Sequence, residues 1–235
     1  MTPTILAAGG GSFFGDPTAP MEKLLLELSG ASHPRLCFIP TAGAESEYSI
    51  VRFYEVFGRH ARVSHLPLFR RQGDVREVLL DQDAIWVGGG NTLNMLAIWR
   101  LHGVDSVLRD AWERGVVLGG VSAGSLCWFE SGVTDSYGPE LQPIHGCLGW
   151  LPGSNCPHYD GEVQRRPVYT RLVGSGELPA GYACDDGAAL LYRGAELAEV
   201  VASRPDARAY RVERDGERAR ETPVEPARLV RGFPA

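Results

Sequence analysis

Over the first ~130 residues, short apolar runs alternate with helical patterns, and this alternation constrains the fold more than any other feature. Thr4 to Ala8 reads as a strand ending in Gly9-Gly10-Gly11, and Arg35 to Ile39 as a strand closed by Pro40-Thr41. Arg62 to Leu66 is a third strand, and Ala84 to Val87 a fourth, ending in Gly88-Gly89-Gly90. Between them, Met21 to Leu28 carries apolar residues at helical spacing. Ser46 to Gly58 has Ser46 as N-cap, and Val75 to Leu80 is a short helix. Asn91 to Trp99 and Val104 to Arg114 are further helices, and Gly115 to Gly119 is a fifth strand. Such alternation predicts an α/β fold, three-layered and doubly wound around a mostly parallel sheet. Ligands of such sheets bind beyond the carboxyl ends of the strands. Gly9 to Gly11, Thr41 to Gly43, Gly88 to Asn91 and Ser122 should therefore line one crevice.

The remainder is less regular. Ser131 to Pro157 is rich in Gly and Pro and reads as loop, and Val163 to Val173 as a helix. Ala188 to Tyr192, Leu197 to Ala202 and Ala207 to Val212 form an additional short β region toward the C-terminus. The charged stretch 213–235 is expected to be a peripheral tail. No linker divides the 235 residues, so one domain is expected.

Composition excludes several classes. A net charge of -6 gives no basis for nucleic-acid or anionic-membrane binding. No apolar run approaches the roughly 20 residues of a membrane span, and the N-terminus lacks the pattern of a signal peptide. Five widely spaced cysteines, with no C-x-x-C pair, suggest neither a disulfide framework nor a metal site. A cytoplasmic chain needing no cofactor fits these features.

Gly120-Val121-Ser122-Ala123-Gly124 reads G-x-S-x-G between a strand and a helix start, the context of a nucleophile elbow. A serine hydroxyl needs a base, an orienting group behind that base, and donors for the developing oxyanion. Of six histidines, His145 and His158 lie in the segment after the elbow. His158 is favoured, in Pro157-His158-Tyr159-Asp160, where the proline pins the backbone. For the orienting acid, Asp186 and Asp135 stand level, with Asp185 beside Asp186. Gly89, Gly90 and Ala123 can supply oxyanion amides. A triple glycine before a helix also suits a phosphate, but neither glycine cluster completes a nucleotide-binding pattern.

Four motifs in order, Gly88 to Thr92, Gly120 to Gly124, Gly146 to Pro152 and Pro157 to Asp160, resemble the peptidase E family of serine peptidases, over about residues 4 to 200. That family includes aspartyl dipeptidases and cyanophycinases. The resemblance implies a class I glutamine amidotransferase-like fold, with Ser122 as nucleophile, His158 as base, and Asp186 or Asp135 as the acid. A dipeptidase or exopeptidase acting on short peptides is implied, with Asn91, Gln164, Arg165, Arg166 and Arg171 as binding candidates. Aspartyl dipeptidases carry Gly-Glu-x-Arg after the histidine. Here Gly161-Glu162-Val163-Gln164 departs from it, and an amide offers no charged fork for a carboxylate. Strict selection of an amino-terminal aspartate is therefore not expected. The resemblance also implies a homodimer, with the strand after Gly187 as its edge. Rival readings are an amidase or transferase, an α/β-hydrolase esterase, and a binding protein without catalysis. The esterase ranks lower, because 77 residues follow His158, whereas its histidine lies near the C-terminus.

Overall fold

A computed structural model describes residues 2–70 and 73–234. In chain order the elements are β1 (Thr4–Ala8), α1 (Pro20–Leu28), β2 (Arg35–Ile39), α2 (Glu47–Phe57), β3 (Arg62–His65), α3 (Val75–Leu80), β4 (Ala84–Val87), α4 (Thr92–His102), α5 (Val104–Glu113), β5 (Val117–Val121) and α6 (Ala123–Leu126). There follow β6 (Phe129–Thr134), β7 (Gln142–His145), β8 (Leu151–Cys156), α7 (Arg165–Ser175), β9 (Gly181–Cys184), β10 (Ala188–Arg193), β11 (Glu196–Ala202), β12 (Ala209–Asp215), β13 (Arg218–Val224) and β14 (Arg228–Leu229).

The main sheet has eight strands in the order β14-β11-β10-β1-β5-β4-β2-β3. The five from β1 to β3 run parallel, and β10 joins β1 antiparallel. Parallel strands are covered on both faces, so they read as continuous apolar runs. Successive side chains nevertheless point to opposite faces. Ile5, Ala7, Ile85 and Leu118 pack with α3, α4 and α5 through Leu79, Trp99 and Leu108. Leu6, Ala8, Trp86 and Val117 pack on the other face with α1 and α2, through Leu25, Phe53 and Phe57. These two apolar layers give the three-layer α/β architecture expected from the alternation.

Several expectations need correction. The fifth strand begins at Val117 rather than Gly115 and runs to Val121, up to the elbow. Ser46 occupies the N-cap of α2 but makes no side-chain capping bond. Ser131 to Pro157 is not mainly loop. It holds most of β6 and all of β7 and β8, which join β9, β12 and β13 in a second sheet of order β13-β12-β9-β8-β6-β7. The stretch expected to be peripheral carries strands: residues 213–229 complete β12 and supply β13 and β14, each at the edge of its sheet. The strand after Gly187, β10, is paired on both sides, to β1 and β11, and offers no free edge to a second subunit. Among the described residues no helix is long and apolar enough to cross a membrane.

Candidate active site

β5 lies in the middle of the parallel sheet and delivers Ser122 at its carboxyl end. Ser122 has φ 57° and ψ -112°, a conformation that costs a non-glycine residue roughly 1–3 kcal/mol. The chain enters α6 at once, and the Ser122 carbonyl accepts from the amides of Ser125 and Leu126, both at 2.9 Å. The flanking glycines are set by close approach, not by φ. A Cβ on Gly120 would stand 2.5 Å from the Gly124 carbonyl oxygen and 2.7 Å from that of Val87. One on Gly124 would overlap the Val87 carbonyl. Both glycines therefore let α6 sit against β4 and β5 while the serine is lifted out of the sheet.

The loop after β4 closes over that hydroxyl. A Cβ at Gly89 would lie 3.3 Å from the Ser122 Cβ and 3.8 Å from its Oγ. Gly90, at φ +134°, packs so tightly on the Ala42 carbonyl that any side chain would overlap it. The neighbouring amides are used: Gly88 donates to Ile39 and Asn91 to Ala42. Among the described residues the amides of Gly89, Gly90 and Ala123 have no acceptor. Unpaired backbone donors beside a hydroxyl oxygen can receive negative charge that develops there.

The end of β1 ties the histidine to the serine. The Ser122 amide donates to the Ala8 carbonyl at 3.3 Å, and the His158 amide to the next carbonyl, Gly9, at 3.2 Å. His158 also has positive φ, 55°. Its Nδ1 lies 2.7 Å from Asp186 Oδ1. The hydrogen bond from His158, its positive charge when protonated, and those of Arg204 and Arg165 hold the Asp186 carboxyl below the usual carboxylate range against partial burial. The pair fits only because two neighbours are glycines. A Cβ on Gly10 would stand 2.5 Å from His158 Nδ1 and overlap the Asp186 carboxylate, and one on Gly161 would overlap Asp186 Oδ2.

Asp186 is held by its backbone. Its amide donates to Asp160 Oδ1 at 2.7 Å, and its carbonyl accepts from Arg204 Nε at 2.9 Å. Arg204 closes the ring by pairing with Asp160 Oδ2. The Gly187 amide donates to Gly10 at 2.9 Å. Gly10 lies in the crevice expected from the sequence, whereas Asp160, Gly161 and Arg204 carry no local signal that assigns them to the site. Asp160 lies two residues from His158, too close in sequence to be an obvious partner for its ring. It bonds not to the ring but to the main chain behind the acid.

Other expected residues fall elsewhere. Asp135 is exposed in a turn, and among the described residues its carboxylate bonds to nothing, so the structure joins Asp186 and not Asp135 to His158. Asp185 turns away, with Oδ2 on the Arg208 amide, and burial pushes its carboxyl up to about 6. His145 ends the edge strand β7, exposed. Asn91 caps α4 through its Oδ1 and donates its Nδ2 to the Ser136 carbonyl. Arg165 is buried, paired with Glu162 and donating to the Val133 carbonyl. Arg166 pairs with Glu221 and lies over Tyr159 and Tyr210. Gln164 and Arg171 are exposed and make no side-chain bond among the described residues.

The family model for peptidase family S51 matches residues 5–200. The chain belongs to this family. As an S51 peptidase it is a serine-type hydrolase. It is 48% identical over 211 residues to an uncharacterized peptidase, YgaJ, of Bacillus subtilis, an alignment covering 88% of this chain and 91% of that one. It is 32% identical to peptidase E of Shewanella amazonensis over 123 residues, 52% of each chain. The fold of this S51 peptidase matches that of a solved peptidase from an acI-B1 actinobacterium, with a TM-score of 0.72 at 18% identity over 99% and 98% of the two chains. It also matches a putative peptidase E of Listeria monocytogenes, with a TM-score of 0.61 at 19% identity over 87% and 99%.

Proposed function

We propose that this S51 peptidase cleaves short peptides through a triad of Ser122, His158 and Asp186, by way of an acyl-enzyme. The observation that carries the reading is the 2.7 Å contact between His158 Nδ1 and Asp186. It leaves Nε2 as the ring nitrogen free to serve the Ser122 hydroxyl, whose amide is bound one carbonyl away on β1. Ser122 Oγ attacks the scissile carbonyl and gives its proton to His158. Asp186 fixes the imidazole tautomer and stabilises the imidazolium. The Gly89, Gly90 and Ala123 amides receive the oxyanion, each such donor being worth about 3 kcal/mol of barrier. His158 then protonates the leaving amine, and water releases the acyl group.

The chain order Ser122, His158, Asp186 supports this reading over an esterase of the α/β-hydrolase type, whose order is serine, acid, histidine. The arginines argue against selection of an acidic first residue. Arg165, Arg166 and Arg204 are each engaged with a carboxylate of the protein itself, which leaves Arg171 and Gln164 as the unengaged candidates on α7 and at its start. The five cysteines are unpaired and buried, which supports a reducing, cytoplasmic setting.

Ser122→Ala should abolish peptide hydrolysis and labelling by a fluorophosphonate probe while the folded state persists. Hydrolysis near the wild-type rate in that variant, or no labelling of the wild-type protein, would overturn the proposal.

A further inference from the structure

Beside the proposed site a cleft of about 620 Å³ opens between the loops that follow β2 and β3, lined by Ala44, Glu47, Ile50, His65, Pro67 and Phe69 among others. We propose that this cleft is a substrate subsite. It takes an apolar or aromatic side chain on the acyl side of the scissile bond, about three residues away. The inference rests on the triad reading, which fixes the direction of the peptide.

Position is the first argument. The strand order β1-β5-β4-β2-β3 sets Ser122, the glycine loop and the cleft along one edge, at the carboxyl ends of successive strands. Adjacent strands lie about 4.8 Å apart, so β2 is about 10 Å and β3 about 14 Å from the end of β5. An extended peptide advances about 3.3 Å per residue, which brings the third residue level with β2.

Continuity is the second. Gly89 abuts the Ser122 side chain, and a Cβ on Gly43 would lie 3.5 Å from the Gly89 carbonyl oxygen. The next residue, Ala44, is already a wall of the cleft. A peptide leaving the serine across the glycine loop therefore meets the cleft without crossing another element.

Direction follows from the histidine. His158 must protonate the leaving amine, and Gly9 and Gly10 hold it on the β1 side of Ser122. The departing half of the peptide lies on that side. The acyl half then runs the other way, over β4 toward β2 and β3.

The chemistry of the walls selects the side chain. Ile50, Pro67 and Phe69 are apolar, and Phe69 is 59% exposed. Phe14, Tyr48, Val51, Tyr54 and Phe69, five of the nine exposed large apolar residues among those described, gather on α2 and the loops beside it. Exposed apolar groups concentrated next to a site mark a binding surface. Glu45, although acidic, is occupied by the amides of Leu68 and Phe69, and so pins the wall. His65 bonds to the Tyr54 hydroxyl at 3.1 Å, and burial holds its ring below the ordinary histidine range, favouring the neutral form. Glu47 and Arg70 are the remaining charges.

The test uses two tetrapeptides that share a scissile bond and differ only in phenylalanine or alanine three positions away on the acyl side. The wild-type enzyme should show at least about tenfold higher kcat/KM for the phenylalanine peptide. Phe69→Ala should bring that ratio to about threefold or less, and Leu101→Ala, on the exposed face of α4, should not. Calorimetry on the Ser122→Ala protein gives a readout independent of chemistry. It should bind the phenylalanine peptide about tenfold more tightly than the alanine peptide, a difference lost when Phe69→Ala is added. Tight binding with no hydrolysis by the wild type would sink the triad and support the cleft. Equal binding of the two peptides, or discrimination that survives Phe69→Ala, overturns the subsite.

Discussion

Glu22 offers a quantitative test of how the fold handles charge. It stands in the first turn of α1 with no exposed surface. Its Oε1 accepts the Phe13 amide at 3.2 Å, and its Oε2 has no partner. Burial is the main reason the carboxyl rises from 4.5 to about 7, with the amides of Glu22 and Phe13 opposing and the charge of Asp16 assisting. A carboxyl raised by folding binds more protons in the folded state. Its stabilising contribution is therefore complete below the unfolded value of 4.5 and is lost as pH rises through 7. At 1.36 kcal/mol per pH unit, the loss between pH 5 and pH 8 is about 2.5 kcal/mol. Glu22→Gln removes the titration and keeps an oxygen for Phe13. It also places an amide NH₂ where Oε2 lacks a partner, a fixed cost of about 1–3 kcal/mol at every pH. Absolute stability is thus not diagnostic, but its pH dependence is. Urea unfolding of both proteins at pH 5 and pH 8 should show the wild type losing about 2.5 kcal/mol more than the variant. Asp185, also raised, titrates in both proteins and cancels. A difference between the proteins that is the same at both pH values, within about 0.5 kcal/mol, would refute the assignment of a buried, protonated Glu22.

Three further expectations concern the site. Gly161→Ala should push the flexible end of Asp186 away from His158 and lower kcat by about a hundredfold or more, with a small change in unfolding midpoint. Activity within threefold of wild type would mean the pair is not used. Asp186→Asn should cost about 10³–10⁴ in kcat, and Asp135→Asn should leave it unchanged. Equal effects would count against the assignment of Asp186. All five cysteines are buried, and burial raises their thiols, Cys37, Cys147 and Cys156 to about 12. A colorimetric thiol reagent should therefore find no fast-reacting group until denaturant is added, and it should not inactivate the enzyme.

How much was legible in the sequence follows from what each strand must pack against. β1, β2, β4 and β5 are covered by helices on both faces, so each is an apolar run punctuated by glycine or proline, whereas β3, Arg62–His65, is the partly exposed edge strand and is mostly polar. β6 to β9 obey a different rule. A Cβ on Gly132 would overlap the Asn155 carbonyl, and one on Gly181 would overlap that of Ser154. Close backbone approach between these strands calls for small residues, and a stretch such as Leu151–Cys156, with proline, glycine, serine and asparagine, then looks like loop. The nucleophile was legible because an elbow imposes local rules on five consecutive residues. The acid was not. Asp186 reaches His158 through pairing at a distance, the isolated bridge of Gly10 with Asp186, and no local pattern separates it from Asp135.

The distribution of strain argues that the crevice is one functional unit. Among the described residues five non-glycines have positive φ: Ala19, Ala44, Glu45, Ser122 and His158. Ser122 and His158 carry the proposed chemistry, and Ala44 and Glu45 border the proposed subsite. Each costs roughly 1–3 kcal/mol, which persists only where surrounding contacts over-determine the backbone. The contacts can be named. Ala8 and Gly9 hold the amides of Ser122 and His158, and the amides of Leu68 and Phe69 hold the Glu45 side chain. The cost is therefore concentrated along one sheet edge and opposed by bonds from neighbouring strands. If strain here were incidental to folding, replacing Ala44 with glycine would stabilise the protein and leave peptide selectivity untouched. If it orients the wall of the subsite, the same change should weaken discrimination between the two tetrapeptides even as the melting temperature rises.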